Sequence, residues 1–314
     1  RLLTGLLVPL CVYVIAAISL NLVVGFSGEL SLGHAGFMCV GAYSSALFSH
    51  IASDIPQVPR FILAILIGAA VAAVFGVIIG IPVLRLRGDY LAIVTLAFGE
   101  IIKNLINILY IGFDEKGLHV ATSAASLKLE AGGKQILKGA LGISGTGALY
   151  KDVKHYFFPI GILLVLLTLF IVQNLVNSRS GRAIMATRDN RIAAESVGIS
   201  SRKIQYIALI ISGVLAAMGG FYLSGGYMNM FTKDMAGGRG FIALAAASMG
   251  GNTPIGGFLV SLLFGIAQAV ANVMQLTSVM PYEIILMVPY LTTLVGLGVY
   301  YYGQKKKKER LSGK

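Results

Sequence analysis

The sequence predicts an all-α, polytopic membrane protein with about eight membrane helices, one of which is broken or half-length. Hydrophobic residues make up 56% of the 314 residues and charged residues only 12%. Mean hydropathy is +0.82. This composition excludes an ordinary soluble domain, because too few polar side chains are present to cover its surface. Long apolar runs separated by short polar ones indicate repeated bilayer crossings.

The predicted spans follow one another along a single membrane domain, residues 1–303. They cover 2–25, 32–50, 61–84, 90–111, 157–176, 204–223, 256–274 and 282–302. The run 240–250 is apolar but too short to cross as a straight helix, and Asn252, Thr253 and Pro254 separate it from the next span. A half-helix that turns inside the membrane would fit this pattern. A tilted full crossing would fit it equally well.

The positive charges give the predicted orientation. Arg85 and Arg87, the loop 178–203 and the basic tail 304–314 should be cytoplasmic by the positive-inside rule. The polar stretch 112–155 is then an extracellular loop. The net charge of +12 lies in loops and in the tail, so it does not indicate nucleic-acid binding. The same alternation puts residue 1 outside, as expected if a preceding piece is missing from the chain.

The loop 178–203 has an internal pattern of its own. Asp189 or Asn190 is placed to cap a short helix, and Gly198 stands where a glycine would end it. Small residues, among them Ala193 and Ala194, would let another protein approach the backbone closely. The pattern therefore predicts a pair of short helices that dock a partner. The alternative is an ordinary basic loop that only sets the topology.

Ionisable residues within or beside the spans are few. Glu100 and Lys103 are three residues apart on one helix face and are expected to pair. Asp89 is placed to cap the fourth span and interact with its dipole. His34 either lines a pore or is a satisfied structural residue. No catalytic set, metal-ligand spacing or phosphate loop is present, so neither an enzyme nor a cofactor is predicted.

Three motifs carry a resemblance to a known family. They are GFSGELSLGHAGFMCVGAY (25–43), LRLRGDYLAIVTLAFGEI (84–101) and GRAIMATRDNRIAAESVGI (181–199). In this order and at this spacing they resemble the permease of branched-chain amino acid ABC importers, the LivM type, over residues 1–200. The resemblance implies two cytosolic ABC ATPases, a second permease of the LivH type or a second copy of this chain, and a substrate-binding protein. It also implies a multi-pass protein of the bacterial inner membrane.

The resemblance further assigns ATPase contact to the coupling loop, the name used below for residues 178–203. The implied contact residues are Gly181, Arg182, Asp189, Asn190, Arg191, Ala193, Ala194 and Gly198.

The second part of the chain has a different resemblance. GGRGFIALAAASMGGNTPIGG (237–257) and MPYEIILMVPYLTTLVGLG (280–298) are more similar to permeases of nucleoside and simple-sugar ABC importers. Natural mosaicism, a divergent member or an artificial join would each produce this combination. The substrate is therefore predicted to be a branched-chain amino acid, with a nucleoside or simple sugar as the alternative.

An ion-coupled secondary transporter is the alternative from another class, but few acids lie in the spans. The translocation path is expected to be polar and uncharged, with Asp89, Glu100 and Lys103 as structural or gating residues. Its predicted lining residues are Ser31, Gly33, His34, Thr95, Gly250, Asn252, Thr253 and Pro254.

Overall fold

The structure is a computed structural model. It describes residues 2–86, 88–114, 117–127, 133–145, 149–153, 156–228, 230–231, 239–251, 253–277, 287, 291–299 and 301–302. Most of these residues are helical. The helices of the bundle are α1 (Leu2–Asn21), α2 (His34–Ile51), α3 (Gln57–Val83), α4 (Asp89–Ile108), α5 (Phe157–Asn177), α8 (Ser201–Tyr222), α9 (Arg239–Met249) and α10 (Pro254–Thr277). The coupling loop contains α6 (Arg179–Asp189) and α7 (Arg191–Ser196).

The helices match the predicted spans to within a few residues. Among the described residues, six helical stretches are long and apolar enough to cross a membrane, and α2 is not one of the six. α9 has 11 residues, which give about 16 Å of helix, roughly half a bilayer core. The prediction that this run is too short to cross is therefore confirmed. Residues 291–299 and 301–302 of the last predicted span are helical, and most of its remainder lies outside the described residues.

α1 and α8 form the centre of the bundle. Their membrane windows are 83% and 72% buried, whereas those of α3, α4 and α5 are only 22–28% buried. α10 runs antiparallel to α1, since Gly257 lies beside Asn21 and Gly265 beside Leu10. Each of the two central helices continues into a π-helix, Leu22–Phe26 after α1 and Leu223–Met228 after α8.

A small sheet covers one end of the bundle, here called the sheet side. Its strands are β1 (Tyr110–Asp114), β2 (Gly117–Ala121), β3 (Lys134–Lys138), β4 (Ile143–Ser144) and β5 (Met230–Phe231), in the order β2-β1-β3-β4-β5. All the pairings are antiparallel. The sequence predicted only a polar loop at 112–155, so this sheet is an addition to a mostly helical fold. The coupling loop lies at the other end, here called the loop side.

One buried arginine fastens the sheet side to the helices. Arg60, near the start of α3, is 4% exposed, and its guanidinium donates to the carbonyl oxygens of Ser53 and Leu149. It also lies over the ring of Tyr150, 5.3 Å from the centroid. The Tyr150 hydroxyl is hydrogen-bonded to Ser49 of α2. These contacts join the segment before α5 to α2 and α3.

We expect Arg60→Ala to lower the free energy of unfolding by roughly 2–4 kcal/mol, because two carbonyls in part-buried hydrogen bonds lose a charged donor. Lys151→Ala removes an exposed cation from the same region and should have little effect. Denaturant unfolding in detergent micelles measures both variants. Equal stability of the two variants would contradict the anchoring role of Arg60.

Candidate functional site

The coupling loop is a pair of helices with defined ends. The Ser178 hydroxyl accepts from the Gly181 amide at 3.2 Å and caps α6. The Asn190 side chain accepts from the Ala193 amide at 3.1 Å and caps α7. Gly198 has φ +85°, a conformation that favours glycine, and follows the last turn. The predicted helix pair is confirmed, with Asn190 rather than Asp189 as the cap.

Two of the predicted contact residues hold α6 to the preceding helix. A Cβ at Gly181 would lie 2.2 Å from the carbonyl oxygen of Leu175, so the two backbones touch there. Arg182 Nη1 donates to the carbonyl oxygen of Asn177 at 2.9 Å. These contacts fix the angle between α5 and α6.

The two alanines of α7 differ in exposure. Ala194 is buried, with 4% of its surface exposed, whereas Ala193 is exposed. The prediction that Ala194 offers a surface for close approach is therefore wrong, because this face of the short helix packs against the protein itself. Sequence reasoning also missed Ile192 and Val197, which are 82% and 74% exposed. The signal in the sequence was two apolar side chains among mainly polar and small neighbours.

Arg188 joins the coupling loop to the π-helix that ends α1. Its Nη1 donates to the carbonyl oxygen of Gly25 at 3.1 Å, and its Nε and Nη2 each lie 2.9 Å from Asp189 Oδ1. Gly28 has φ +71°, and a Cβ there would lie 2.5 Å from Arg188 Cγ. Only glycine tolerates both the backbone conformation and the contact.

Apolar packing supports the same junction. Ile184 of α6 is buried with Leu22 and Phe26 of the π-helix and Ala208 of α8. This cluster is separate from the main hydrophobic core. A movement of α6 would therefore act on the end of α1 through both a hydrogen bond and a packed contact.

A cavity of about 260 Å³ opens between the coupling loop and the α3–α4 turn. Glu29, Asp89, Arg188, Arg191 and Gln205 contribute polar groups to its lining. Burial raises the pKa of Glu29 to about 7, an effect that the charge of Arg191 partly offsets. Gln205 is 8% exposed, and its Oε1 has no partner among the described residues.

Asp89 lies one position after the N-cap of α4, where the sequence predicted it to be the cap. It is the first residue of α4, and Gly88 takes the N-cap position without a side-chain hydrogen bond. The predicted capping bond is therefore wrong. Asp89 still lies in the first turn, where a carboxylate interacts favourably with the helix dipole.

The predicted path residues at the start of α2 come together with α4, but they are buried. Ser31, His34 and Thr95 are 1–4% exposed. The Leu32 amide donates to Thr95 Oγ1 at 3.0 Å. A Cβ at Gly33 would lie 2.6 Å from the carbonyl oxygen of Thr95. Their role as lining residues of the translocation path stays a prediction.

His34 belongs to a buried polar cluster with Ser19 and Ser212. Its Nε2 lies 3.1 Å and 3.2 Å from the two hydroxyl oxygens. Both hydroxyls donate to carbonyl oxygens, those of Ala16 and Ser19. Nε2 must therefore carry the proton and donate to both serines. Nδ1 has no partner among the described residues.

The break before α10 lies against the end of α1. Asn21 Nδ2 donates to the carbonyl oxygen of Thr253 at 2.9 Å. A Cβ at Gly250 would lie 2.3 Å from the amide nitrogen of Gly257, so the turn is closely packed. Pro254 begins α10, and Asn252 lies outside the described residues.

The remaining predicted pair forms on α4. Lys103 Nζ lies 2.8 Å from Glu100 Oε2, as the three-residue spacing predicts. The pair is partly exposed, and its gating role stays a prediction. In the described part of the chain, no group of three or more histidine, cysteine, aspartate or glutamate side chains is placed to hold a metal ion.

Comparison with known families identifies the kind of protein to which this arrangement belongs. A family model described as "Branched-chain amino acid transport system / permease component" matches residues 2–297. The chain belongs to this permease family. The match spans both the part that resembles the LivM type and the part after residue 200. The predictions of family membership and of a multi-pass membrane protein are confirmed.

Two groups of relatives are similar to this chain. The high-affinity branched-chain amino acid permease LivM of Escherichia coli K12 is 37% identical over 67% of this chain and 49% of its own length. The guanosine ABC transporter permease NupQ of Bacillus subtilis is 28% identical over 86% of this chain and 83% of its own length. The nucleoside permease NupC of Lactococcus lactis is 25% identical over 87% and 84%. The match therefore spans about half the length of LivM.

The pKa of Glu29 predicts a pH effect on the stability of the loop side. Because its pKa in the folded protein, about 7, lies above its ordinary value of 4.5, the folded state holds the proton more tightly. This contribution to stability is complete below pH 4.5 and is lost as the pH rises to about 7. We expect Glu29→Gln to reduce this fall in the unfolding free energy, measured by denaturant titration at several pH values. Asp54→Asn, at an exposed acid, is the control. An unchanged pH slope in Glu29→Gln would contradict the assignment.

Proposed function

We propose that the chain is the permease subunit of an ATP-driven ABC importer and that α6 and α7 form its cytosolic ATPase-docking element. The observation that carries the proposal is a rigid, capped helix pair that exposes Ile192 and Val197 while Arg188 and Ile184 attach it to the end of α1. An exposed basic loop that only set topology would need neither the caps nor the buried junction.

The proposed assembly follows from the family. Two cytosolic ABC ATPases would dock on the coupling loops, and ATP hydrolysis would take place in them rather than in this chain. A LivH-type permease or a second copy of this chain would complete the membrane part. A substrate-binding protein would deliver the ligand on the sheet side. The docking surface consists of Ile192 and Ala193 of α7 and of Val197 directly after it, with Arg191 beside it.

We propose a branched-chain amino acid as the substrate. The identity of 37% to LivM supports this choice. Nucleosides are the second candidate, because the guanosine permease NupQ is similar over a larger share of the chain. A predominantly uncharged path would suit either an amino acid or a nucleoside. The packed regions at His34 and Thr253 are lined by hydroxyl, amide and backbone groups, which would make such a path polar but uncharged.

The substrate and the energy source are tested together in reconstituted vesicles that contain the ATPases and the binding protein. We expect ATP-dependent uptake of leucine that excess guanosine or galactose leaves unchanged. Uptake of guanosine or of a simple sugar instead would favour the alternative substrate classes. Uptake in an ATPase-dead complex that followed a proton or sodium gradient would contradict an ABC importer.

The two alanines of α7 give a matched test of docking. We expect Ala193→Trp to weaken ATPase binding at least about tenfold, because a bulky side chain then stands in the middle of the docking surface. Membrane insertion and stability should be unchanged. Ala194→Trp should instead lower stability by roughly 1–3 kcal/mol, since that position is buried.

Co-purification of the ATPase and thermal unfolding in detergent separate these effects. Ala193→Ser is the control for the exposed position. If the ATPase bound normally with tryptophan at position 193, this face of α7 would not be the docking surface.

Arg188 is proposed to transmit the movement of the coupling loop to the π-helix. Arg188→Met keeps most of the side-chain stem but loses the hydrogen bond to Gly25. We expect the ATPase to remain bound and active, while substrate transported per ATP falls about fivefold or more. Arg179→Met is the matched control, because Arg179 is an exposed arginine at the start of the same helix. A normal transport ratio in Arg188→Met, with the ATPase bound, would contradict this route without affecting the docking proposal.

A further inference from the structure

A second concavity, of about 460 Å³, lies between α7 and the beginning of α8. Helix α7 and the turn that follows it form one wall, and the first turn of α8 forms the other. The lining residues are Arg191, Glu195, Gly198, Ile199, Ser200, Ser201 and Arg202. Ile192, Ala193 and Val197 of the docking surface do not line this concavity.

The N-terminus of α8 faces this concavity. α8 has 22 residues, and Ser200 at its cap position makes no side-chain capping bond. The first amides of an α-helix have no acceptor within the helix. Together with the positive end of the helix dipole, they favour an anion at this position.

Ser201 is a second and independent indication of a ligand. Its residue surface is 1% exposed, and its hydroxyl has no hydrogen-bond partner among the described residues. A buried hydroxyl without a partner is unfavourable, and such a group commonly bonds to a ligand or to water. Ser201 is also among the residues that line the concavity.

The charges around the concavity also favour an anion. Glu195 is the one carboxylate among the lining residues, and Arg191 Nε holds its Oε1 at 2.9 Å. Arg202 is exposed and makes no ion pair within the described part of the chain. The lining therefore carries a net positive charge in addition to the helix dipole.

We propose that this concavity binds a phosphate group, and that the headgroup of an anionic phospholipid supplies it. α8 is long and apolar enough to cross the membrane from Ser201 onward. Its first turn therefore lies at the membrane boundary, where lipid phosphates are concentrated. A phosphate bound there would accept from the α8 amides, the Ser201 hydroxyl and Arg202. It would thereby tie the base of α7 to the membrane surface.

The test uses the purified full chain in detergent, with the midpoint of thermal unfolding as the readout. Phosphatidylglycerol is titrated in, with diacylglycerol as a lipid that lacks phosphate and inorganic phosphate as a soluble source. We expect phosphatidylglycerol to raise the midpoint. The concentration that gives half of the rise should increase about tenfold in Arg202→Gln and in Ser201→Ala, because each removes a donor to the phosphate.

Lys203→Gln is the matched control, because Lys203 is the next cation on α8 but does not line the concavity. It should keep the wild-type response. The same pattern of variants with inorganic phosphate, and no advantage of phosphatidylglycerol over diacylglycerol, would support a phosphate site with a soluble ligand. Equal losses in Arg202→Gln and Lys203→Gln would show diffuse charge attraction and overturn the proposal. Absence of any response to phosphate or phosphatidylglycerol would overturn it as well.

Discussion

A carbonyl freed by a break in a membrane helix has no water to bond to, and this constraint shapes the bundle. The structure meets it with polar side chains from other segments. Arg188 bonds to the Gly25 carbonyl at the π-helix, and Asn21 bonds to the Thr253 carbonyl at the break before α10. Both breaks lie beside the end of α1. The carbonyl groups at these two breaks therefore bond to side chains that are distant from them in the sequence.

Helices α2 and α8 approach each other closely because glycines remove side chains at the contacts. A Cβ at Gly41 of α2 would lie 2.4 Å from the carbonyl oxygen of Ala217 in α8. A Cβ at Gly220 of α8 would lie 2.1 Å from that of Met38 in α2. Such contacts bring the backbones of α2 and α8 together, as small residues do in membrane helix packing. The buried cluster of His34, Ser19 and Ser212 lies within the same packed region, so a movement of either helix would disturb it.

Most of the bundle was predictable from the sequence, because span length and apolar content are set by the bilayer. The sheet was not, since its strands have two to five residues and show no long alternation. The direction of Ala194 was also unpredictable, because a helix of six residues is too short for periodicity to fix its buried face. Asp89 was predicted to be the N-cap of α4, but Gly88 is the cap and Asp89 is the residue after it. The contact of Arg188 with Gly25 joins residues 163 positions apart, a distance at which a single sequence gives no pairing signal.

The π-helix at the end of α1 gives the proposed coupling route a physical basis. A π-helix contains one more residue per hydrogen-bonded turn than an α-helix, and conversion between the two changes the register of the following residues. Here the following residues lead into Gly28 and then to His34 at the start of α2. The same segment touches α6 through Ile184 and Arg188. A displacement of α6 would therefore act directly on the π-helix from which the chain leads to α2.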